Sequence, residues 1–355
     1  MAGLSVAYTP PTGVDLLTSL ERQGVSTFYM QYFQTAGVAE AELEADVEAT
    51  IRRVSYSMSG DGPGRIVAGM LAPGAGFLDT TVEPNTLPAW LPALPRLSWL
   101  AFGGNPFSAG REHAALTHTP LPPVPWHDLR IEEQLGEGAS GVIHRAQRRN
   151  GGAAIALKVF KGEVTSDGSP SSEMAACLQG GAHANLIPVL GRLTEHPAQA
   201  EGLAMQLIPP EFRTLAGPPS LDSCTRDVYA PETRFDLARL HRLAGGIASA
   251  VRHLHQRGIS HGDLYAHNIL HDGQGTAVLG DFGAASFFEP ETASAKALQR
   301  LEARAFGCLL EELMERCDTA APALQALRDA CLSDDPARRP LFDEIERAVA
   351  HSQIG

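Results

Sequence analysis

The stretch His261-Gly262-Asp263-Leu264-Tyr265-Ala266-His267-Asn268, followed by Gly280-Asp281-Phe282-Gly283, decides how this chain folds. It carries two acids and an amide, each close to apolar residues. Asn268 lies five positions after Asp263, and Asp281 eighteen after it. Between them, Ile269-Leu270, Asp272-Gly273 and Ala277-Val278-Leu279 form an apolar–turn–apolar pattern that predicts a tight hairpin. Such a hairpin folds Asp281 back beside Asp263, so three oxygen-bearing side chains converge at one mouth. Converging oxygens, with water and phosphate, are what Mg²⁺ takes. A carboxylate left off the metal can orient a hydroxyl nucleophile. Taken singly, each residue would suit a surface turn; the ordered set points to chemistry.

Two pieces upstream extend the set: Leu135-Gly136-Glu137-Gly138-Ala139-Ser140-Gly141-Val142-Ile143 and Ala154-Ile155-Ala156-Leu157-Lys158-Val159. The first resembles the glycine-rich loop of protein kinases, G-x-G-x-x-G-x-V, with Ile143 in the last place. The second resembles the strand that carries their ATP-binding lysine. The opening stretch resembles their catalytic loop, and Asp281-Phe282-Gly283 their metal-binding triplet. A lone G-x-G-x-x-G is a weak signal, whereas four motifs in family order are a specific one. The resemblance covers about His127 to His351, roughly two-thirds of the chain. It implies an α+β, two-lobed protein kinase-like fold, preceded by a small helical and leucine-repeat-like appendage.

The resemblance also assigns residues. Leu135 to Ile143 would cover the phosphates of ATP, backbone N–H groups approaching them at the glycines. Ala156 is small enough for adenine to lie against its strand. Lys158 would reach the α- and β-phosphates, held extended by Glu173, and Met205 and Ile208 would border the adenine. Asp263 would orient the nucleophile and take its proton, while Asn268 and Asp281 hold Mg²⁺. The implied cofactors are ATP and Mg²⁺, and the implied substrates are Ser or Thr hydroxyls of proteins. Leu237, Leu240, Leu243, Ile247, Val251 and Leu254 recur at steps of three and four, one face of a long helix that would support the catalytic loop.

The chain departs from the family pattern at four places. Gly262 replaces the arginine that pairs with an activation-loop phosphate, which argues against switching by loop phosphorylation. Tyr265 replaces the lysine two residues after the aspartate. Glu302 stands where the family has an Asp. No A-P-E triplet lies between Asp281 and Glu302, so Arg339, in Asp335-Pro336-Ala337-Arg338-Arg339-Pro340, must find another partner. These departures keep two alternatives open: a pseudokinase scaffold that binds nucleotide without efficient transfer, and a small-molecule phosphotransferase, whose catalytic loop also opens H-G-D.

Composition sets outer limits. The chain has 355 residues, 44% hydrophobic and 19% charged, with a net charge of −13. That leaves room for a sizeable core and disfavours nucleic acid or an anionic membrane as main partner. The five cysteines show no metal-ligand spacing, and no apolar run reaches the roughly 20 residues of a membrane span. A cytoplasmic protein is expected; its oligomeric state is not indicated.

Residues 1–92 differ in character. Leu16 to Leu20 has a short apolar helical pattern, and Val38 to Arg53 reads as one acidic amphipathic helix with a solvated charge run. Gly60 to Gly76 reads as an irregular loop. Phe28-Tyr29-Met30-Gln31-Tyr32-Phe33-Gln34 and Leu87-Pro88-Ala89-Trp90-Leu91 resemble the cap of epoxide hydrolases, with Tyr29 at the tyrosine that donates to the epoxide oxygen. The nucleophilic acid and its base are missing, so core packing is the preferred role for Tyr29 and Tyr32. Residues 93–109 hold most of a spaced leucine pattern, Leu91 to Phe107, that resembles one leucine-rich repeat. Its Asn105 would satisfy backbone groups in a turn. One repeat cannot bury its own apolar face, so it is the end of a lost array or an adaptor packed on a neighbour. Residues 110–126 read as a linker, extended and stiff in its proline-rich second half.

Overall fold

In this computed structural model, residues 32–33, 35–57, 77–78, 87, 90–119, 121–162, 168–220, 223 and 226–352 are described. Tyr29, the Leu16–Leu20 pattern and the Gly60–Gly76 loop lie outside them. The chain divides into two units, Met1–Pro88 and Ala89–Gly355.

In the first unit the expected single helix is two: α1, Val38–Ala45, and α2, Val47–Ser57. Asp46 breaks it by leaving helical geometry, φ −151°, and turning its Oδ1 to accept from the Ala49 N–H at 2.9 Å. A short acid that bonds the backbone locally favours a cap over a helix interior. The acidic run is also not merely solvated. Glu42 accepts from the Tyr32 hydroxyl at 2.5 Å and from the Phe77 and Leu78 N–H groups at 2.9 and 3.0 Å. Phe33 sets its ring edge-on to Phe77, centroids 5.0 Å apart.

The second unit begins with a 3-10 turn, Leu91–Ala93, and an irregular run into α3, Pro106–His118. No strand forms over 94–105. The expected linker therefore divides: Gly110 to His118 belongs to α3, where alanines and Arg111, Glu112 and His113 carry the helix past one glycine. Its proline-rich end makes β1, Pro123–Pro125, which pairs parallel with β5, Val189–Thr194. At the far edge, proline's missing N–H costs little.

A six-stranded sheet follows, ordered β1-β5-β6-β4-β3-β2. The remaining strands are β2 (Leu129–Glu137), β3 (Gly141–Arg148), β4 (Ile155–Phe160) and β6 (Gly202–Gln206). One face buries Leu129, Ala146, Ile155, Leu157, Leu193 and Ala204. The other packs Phe160 and Leu203 against Met174 and Leu178 of α4, Pro170–Gly180. Ser169 caps α4 by accepting from the Ser172 N–H, with Pro170 at its first position.

Beyond the sheet the unit is helical. The long helix α5, Leu237–Gln256, starts at Asp236, whose side chain accepts from the Arg239 N–H. Its face Leu240, Leu243, Ile247, Val251 and Leu254 is buried, as its spacing requires; each such residue contributes about 1.5–3 kcal/mol. Helices α6 (Ala293–Met314), α7 (Pro322–Cys331) and α8 (Phe342–His351) complete this core. Short strands hold the loops on it. A two-residue strand β7, Arg213–Thr214, joins β9, Ile269–His271, which pairs antiparallel with β10, Ala277–Leu279. Strand β8, Ile259–Ser260, pairs with β11, Ser286–Phe287. The hairpin is present but its turn is wider than Asp272-Gly273 alone: Asp272 Oδ1 also accepts from Gln274 and Thr276 N–H groups. Among the described residues, no helix is long and apolar enough to cross a membrane.

Candidate active site

The sheet and the helical part border a cleft of about 330 Å³. Gly136, Glu137, Gly138, Ala139, Ser140, Gly141 and Ile143 line one side, with Lys158, Glu173 and Met205. Gly280, Asp281, Phe282 and Gly283 line the other. Strand pairing delivers Lys158 here: it sits opposite Ile143 and Leu203, in mid-sheet. Its ammonium pairs with Glu173 of α4, both side chains nearly buried, at 11% and 3% exposure. Burial opposes the charged form of Lys158, but the Glu173 and Asp281 charges outweigh it, so its pKa is raised. Glu173 Oε2 is buried without a hydrogen-bond partner.

The turn between β2 and β3 closes with the Gly138 N–H donating to the Gly141 carbonyl at 2.9 Å. A Cβ at Gly136 or Gly138 would meet open space, leaving their backbone clear to approach a ligand. A Cβ at Gly141 would lie 2.6 Å from the Val159 carbonyl, so strand packing requires that glycine.

The catalytic-loop residues hold one another. Asn268 Nδ2 donates to the Asp263 carbonyl at 3.0 Å and to Asp263 Oδ2 at 2.8 Å. That turns Asn268 Oδ1 away as an acceptor. The Gly280 N–H donates to the Asn268 carbonyl at 2.9 Å, tying the loop to the segment that carries Asp281. Asp281 has φ +52°, uncommon for a non-glycine residue, and strain of this kind collects at functional sites. Its Oδ1 accepts from Gly283 N–H at 3.1 Å. Burial raises the pKa of Asp263, and Asp281 adds to the rise; His261, Asn268 and His267 act against it.

Several expected residues do not border the cleft. Leu135 is exposed on β2, Val142 is half-buried on β3, Ala156 is buried within β4, and Ile208 lies beyond β6. Asp263 and Asn268 do not line the cavity either. Sequence reasoning missed Cys177, Leu186, Ile187 and Val189, which also line it. Cys177 was legible as the residue one helical turn after Glu173. It missed Asp227 as well, whose carboxylate takes the His267 N–H at 2.9 Å and pairs with its Nδ1 at 2.9 Å; nothing in its irregular surroundings marked it. A larger depression of about 830 Å³, bordered by Arg213, Tyr229, Arg234 and Arg239, holds none of Lys158, Asp263, Asn268 or Asp281.

Glu302, expected in place of an Asp, is buried and spans two elements. Its Oε1 accepts from the Gly262 N–H at 2.7 Å and its Oε2 takes His255 Nε2–H. Arg339 finds its new partners in backbone carbonyls: Ser333 at 3.0 Å, Arg300 at 3.4 Å and Pro95 at 2.6 Å. Asn105 Nδ2 donates to the Phe102 carbonyl at 2.9 Å, the turn-satisfying contact expected of it.

Residues 129–303 match the family model of the protein kinase domain. Serine/threonine-protein kinase bur1 of Neurospora crassa is 27% identical over 168 residues, 46% of this chain and 28% of that protein. Serine/threonine-protein kinase CTR1 of Arabidopsis thaliana is 23% identical over 269 residues, 62% of this chain and 31% of that protein. Epoxide hydrolase A of Mycobacterium tuberculosis is 40% identical over 93 residues, 26% of this chain and 29% of that protein. The chain thus spans less than a third of the length of each of these relatives. Residues 129–303 thus carry the sequence of a protein kinase domain, and the fold and site described above agree with it.

Proposed function

We propose that the chain is a protein kinase that transfers the γ-phosphoryl group of ATP to Ser or Thr hydroxyls of protein substrates. The observation that carries this reading is the buried Lys158–Glu173 pair facing Asp281 across a nucleotide-sized cleft. Lys158 binds and orients phosphates. The backbone at Gly136 and Gly138 covers them, where no side chain intervenes. Met205 borders the adenine side. The further contacts assigned to Leu135, Val142, Ala156 and Ile208 belong to this proposal too.

The donor set fits Mg²⁺: Asp281 offers a carboxylate and Asn268 an amide oxygen, hard ligands of the kind that complete a site with phosphate and water. When bound, the metal supplies charge neutralisation on the phosphates. Asp263, fixed by Asn268, orients the incoming hydroxyl and accepts its proton. Burial makes it a better base than an ordinary aspartate. Positioning and fixed charge carry such catalysis.

Free thiols at Cys177, Cys308, Cys317 and Cys331 suit a reducing compartment, and we place the protein in the cytoplasm, off membranes and nucleic acid. The domain layout is proposed as 1–92 hydrolase-cap-like, 93–109 repeat-like, 110–126 connecting and 127–351 kinase. With its catalytic residues unmatched here, the first part has a packing role.

The test is incubation with labelled MgATP and generic protein substrates, beside Lys158→Met and Asp263→Asn. Transfer to protein, abolished by either substitution, is the expected result. Nucleotide binding with no transfer would establish a scaffold, and transfer to small alcohols alone a small-molecule phosphotransferase.

A further inference from the structure

We propose that residues 95–118 form a built-in strap that holds α4 and the Lys158–Glu173 pair in working position, with Glu112 as its positioning residue. This rests on the kinase reading above.

Glu112 of α3 is buried, at 7% exposure, and so are Ser108 and Ser172, at 1% each. Three donors converge on its two oxygens: Gly104 N–H at 2.9 Å, Ser108 Oγ–H at 2.7 Å and Ser172 Oγ–H at 2.8 Å. A carboxylate taken out of water is tolerated only with such donors. Ser172 lies in the first turn of α4, next to Glu173, and its N–H is the one Ser169 caps. Glu112 therefore fixes the turn that aims Glu173 at Lys158. The approach is close: a Cβ on Gly103 would stand 3.1 Å from both Ser172 Cβ and the Ala285 carbonyl.

The same segment also touches the two loops on the helical side of the site. The Phe102 N–H donates to Ser286 Oγ at 2.8 Å, beyond the Asp281 segment, and the Leu100 N–H to the Gly262 carbonyl at 3.3 Å, beside Asp263. Gly262 has φ +80°, and a Cβ there would lie 2.4 Å from the Ala284 carbonyl and 3.0 Å from that of Leu100. The place of a phosphate-reading arginine is thus closed, first by the Ala284 carbonyl and then by the Leu100 carbonyl of the strap. What a loop phosphate would otherwise organise, this chain organises with its own residues. Arg111 adds a two-pronged pair to Glu289 at the edge, and Arg339 clasps the Pro95 carbonyl. Of the two readings of the leucine pattern, an adaptor packed on a neighbour is the one this describes.

The test uses the full chain with Glu112→Ala and Glu112→Gln. Glu112→Ala should raise amide hydrogen exchange across residues 170–177 while α5 stays protected. It should also lower kcat/KM for MgATP roughly tenfold, the weight of about one charge-assisted hydrogen bond. Glu112→Gln keeps one accepting oxygen and can donate to Ser172 Oγ, so it should restore most of the loss. In a Glu173→Gln background, Glu112→Ala should have no further effect on rate, since the pair it serves is already broken. If Glu112→Ala does not fold, Ser172→Ala, one hydroxyl smaller, should show the same changes in lesser degree. Unaltered exchange in α4, or rate losses that multiply in the double variant, would overturn the proposal. A wild-type chain that transfers no phosphate would sink the kinase reading alone, because the exchange measurement still decides the strap.

Discussion

Replacing Glu302 by alanine should unseat the catalytic loop from the helical core. Its carboxylate is 2% exposed and serves two buried donors, the Gly262 N–H and His255 Nε2–H. Each hydrogen bond to a charged group contributes about 1.5–3 kcal/mol. Losing both, and leaving the donors dry, gives about 3–6 kcal/mol. For a unit of this size that lowers the melting temperature by on the order of 10 °C. Calorimetry on the full chain reads it directly, with phosphoryl transfer measured well below the melt. Glu302→Asp should cost about half as much, although the family carries Asp there, because the shorter side chain cannot meet both donors. Burial disfavours the charged carboxylate, but the His255 bond and charge, the His261 charge and the Gly262 N–H together hold it below its usual range. A depressed acid adds stability above its unfolded value, about 4.3, and that stability is lost as pH falls through the folded value. The deficit of Glu302→Gln should therefore shrink on acidification. An alanine variant melting within 2 °C or so of the parent at pH 7, with transfer intact, would refute this account.

Gly262→Ala forces a left-handed residue against the Ala284 carbonyl and should destabilise by about 2–4 kcal/mol in urea unfolding. Gly136→Ala and Gly138→Ala meet open space and should leave the melt unchanged while weakening nucleotide binding, read by titration with a fluorescent ADP analogue. Asp263→Asn should cut transfer by roughly 100-fold or more yet raise the melting temperature at pH 7. Burial raises the Asp263 pKa, so the native state favours its protonated form; the charged form costs stability at pH 7, a cost that disappears as pH falls below the unfolded value. In wild type the acid limb of the rate profile should lie above the usual aspartate range. Glu42→Ala strips three donors of their acceptor and should speed trypsin cleavage of the first unit while the melt of the second holds.

What the sequence disclosed followed how locally each feature is written. The glycine turn, the lysine strand, the hairpin and the long helix each depend on spacing within about twenty residues, and each is found where the spacing put it. The pairing of Lys158 with Glu173 was legible through the resemblance to protein kinases, not through spacing. The misreadings came from competition at single residues. Asp46 prefers to cap a helix rather than continue one, and Glu42 was masked by its acidic neighbours although it gathers three donors from distant chain. The helix α3 runs through what the glycine and the prolines beyond it marked as linker, because Pro106 suits a first helical position and its alanines carry the helix past Gly110. Glu112 and Asp227 were invisible for a different reason. Their partners lie 60 and 40 positions away, Ser172 and His267, and no periodicity reports such a distance.

The grip of Arg339 on the Pro95 carbonyl joins residues 244 positions apart. At translation rates of roughly 5–20 residues per second, Pro95 waits on the order of 10–50 s before its clasp leaves the ribosome. Contacts with nearer partners, Glu112 with Ser172 and then Phe102 with Ser286, can form earlier, so through the last part of that interval the strap is docked at one end and unclasped at Pro95, open there to chaperones or to neighbouring chains. Crowded, fast overexpression should therefore yield inclusion bodies more readily than slow, cool synthesis, and the shortfall should fall on newly made chains rather than on finished ones.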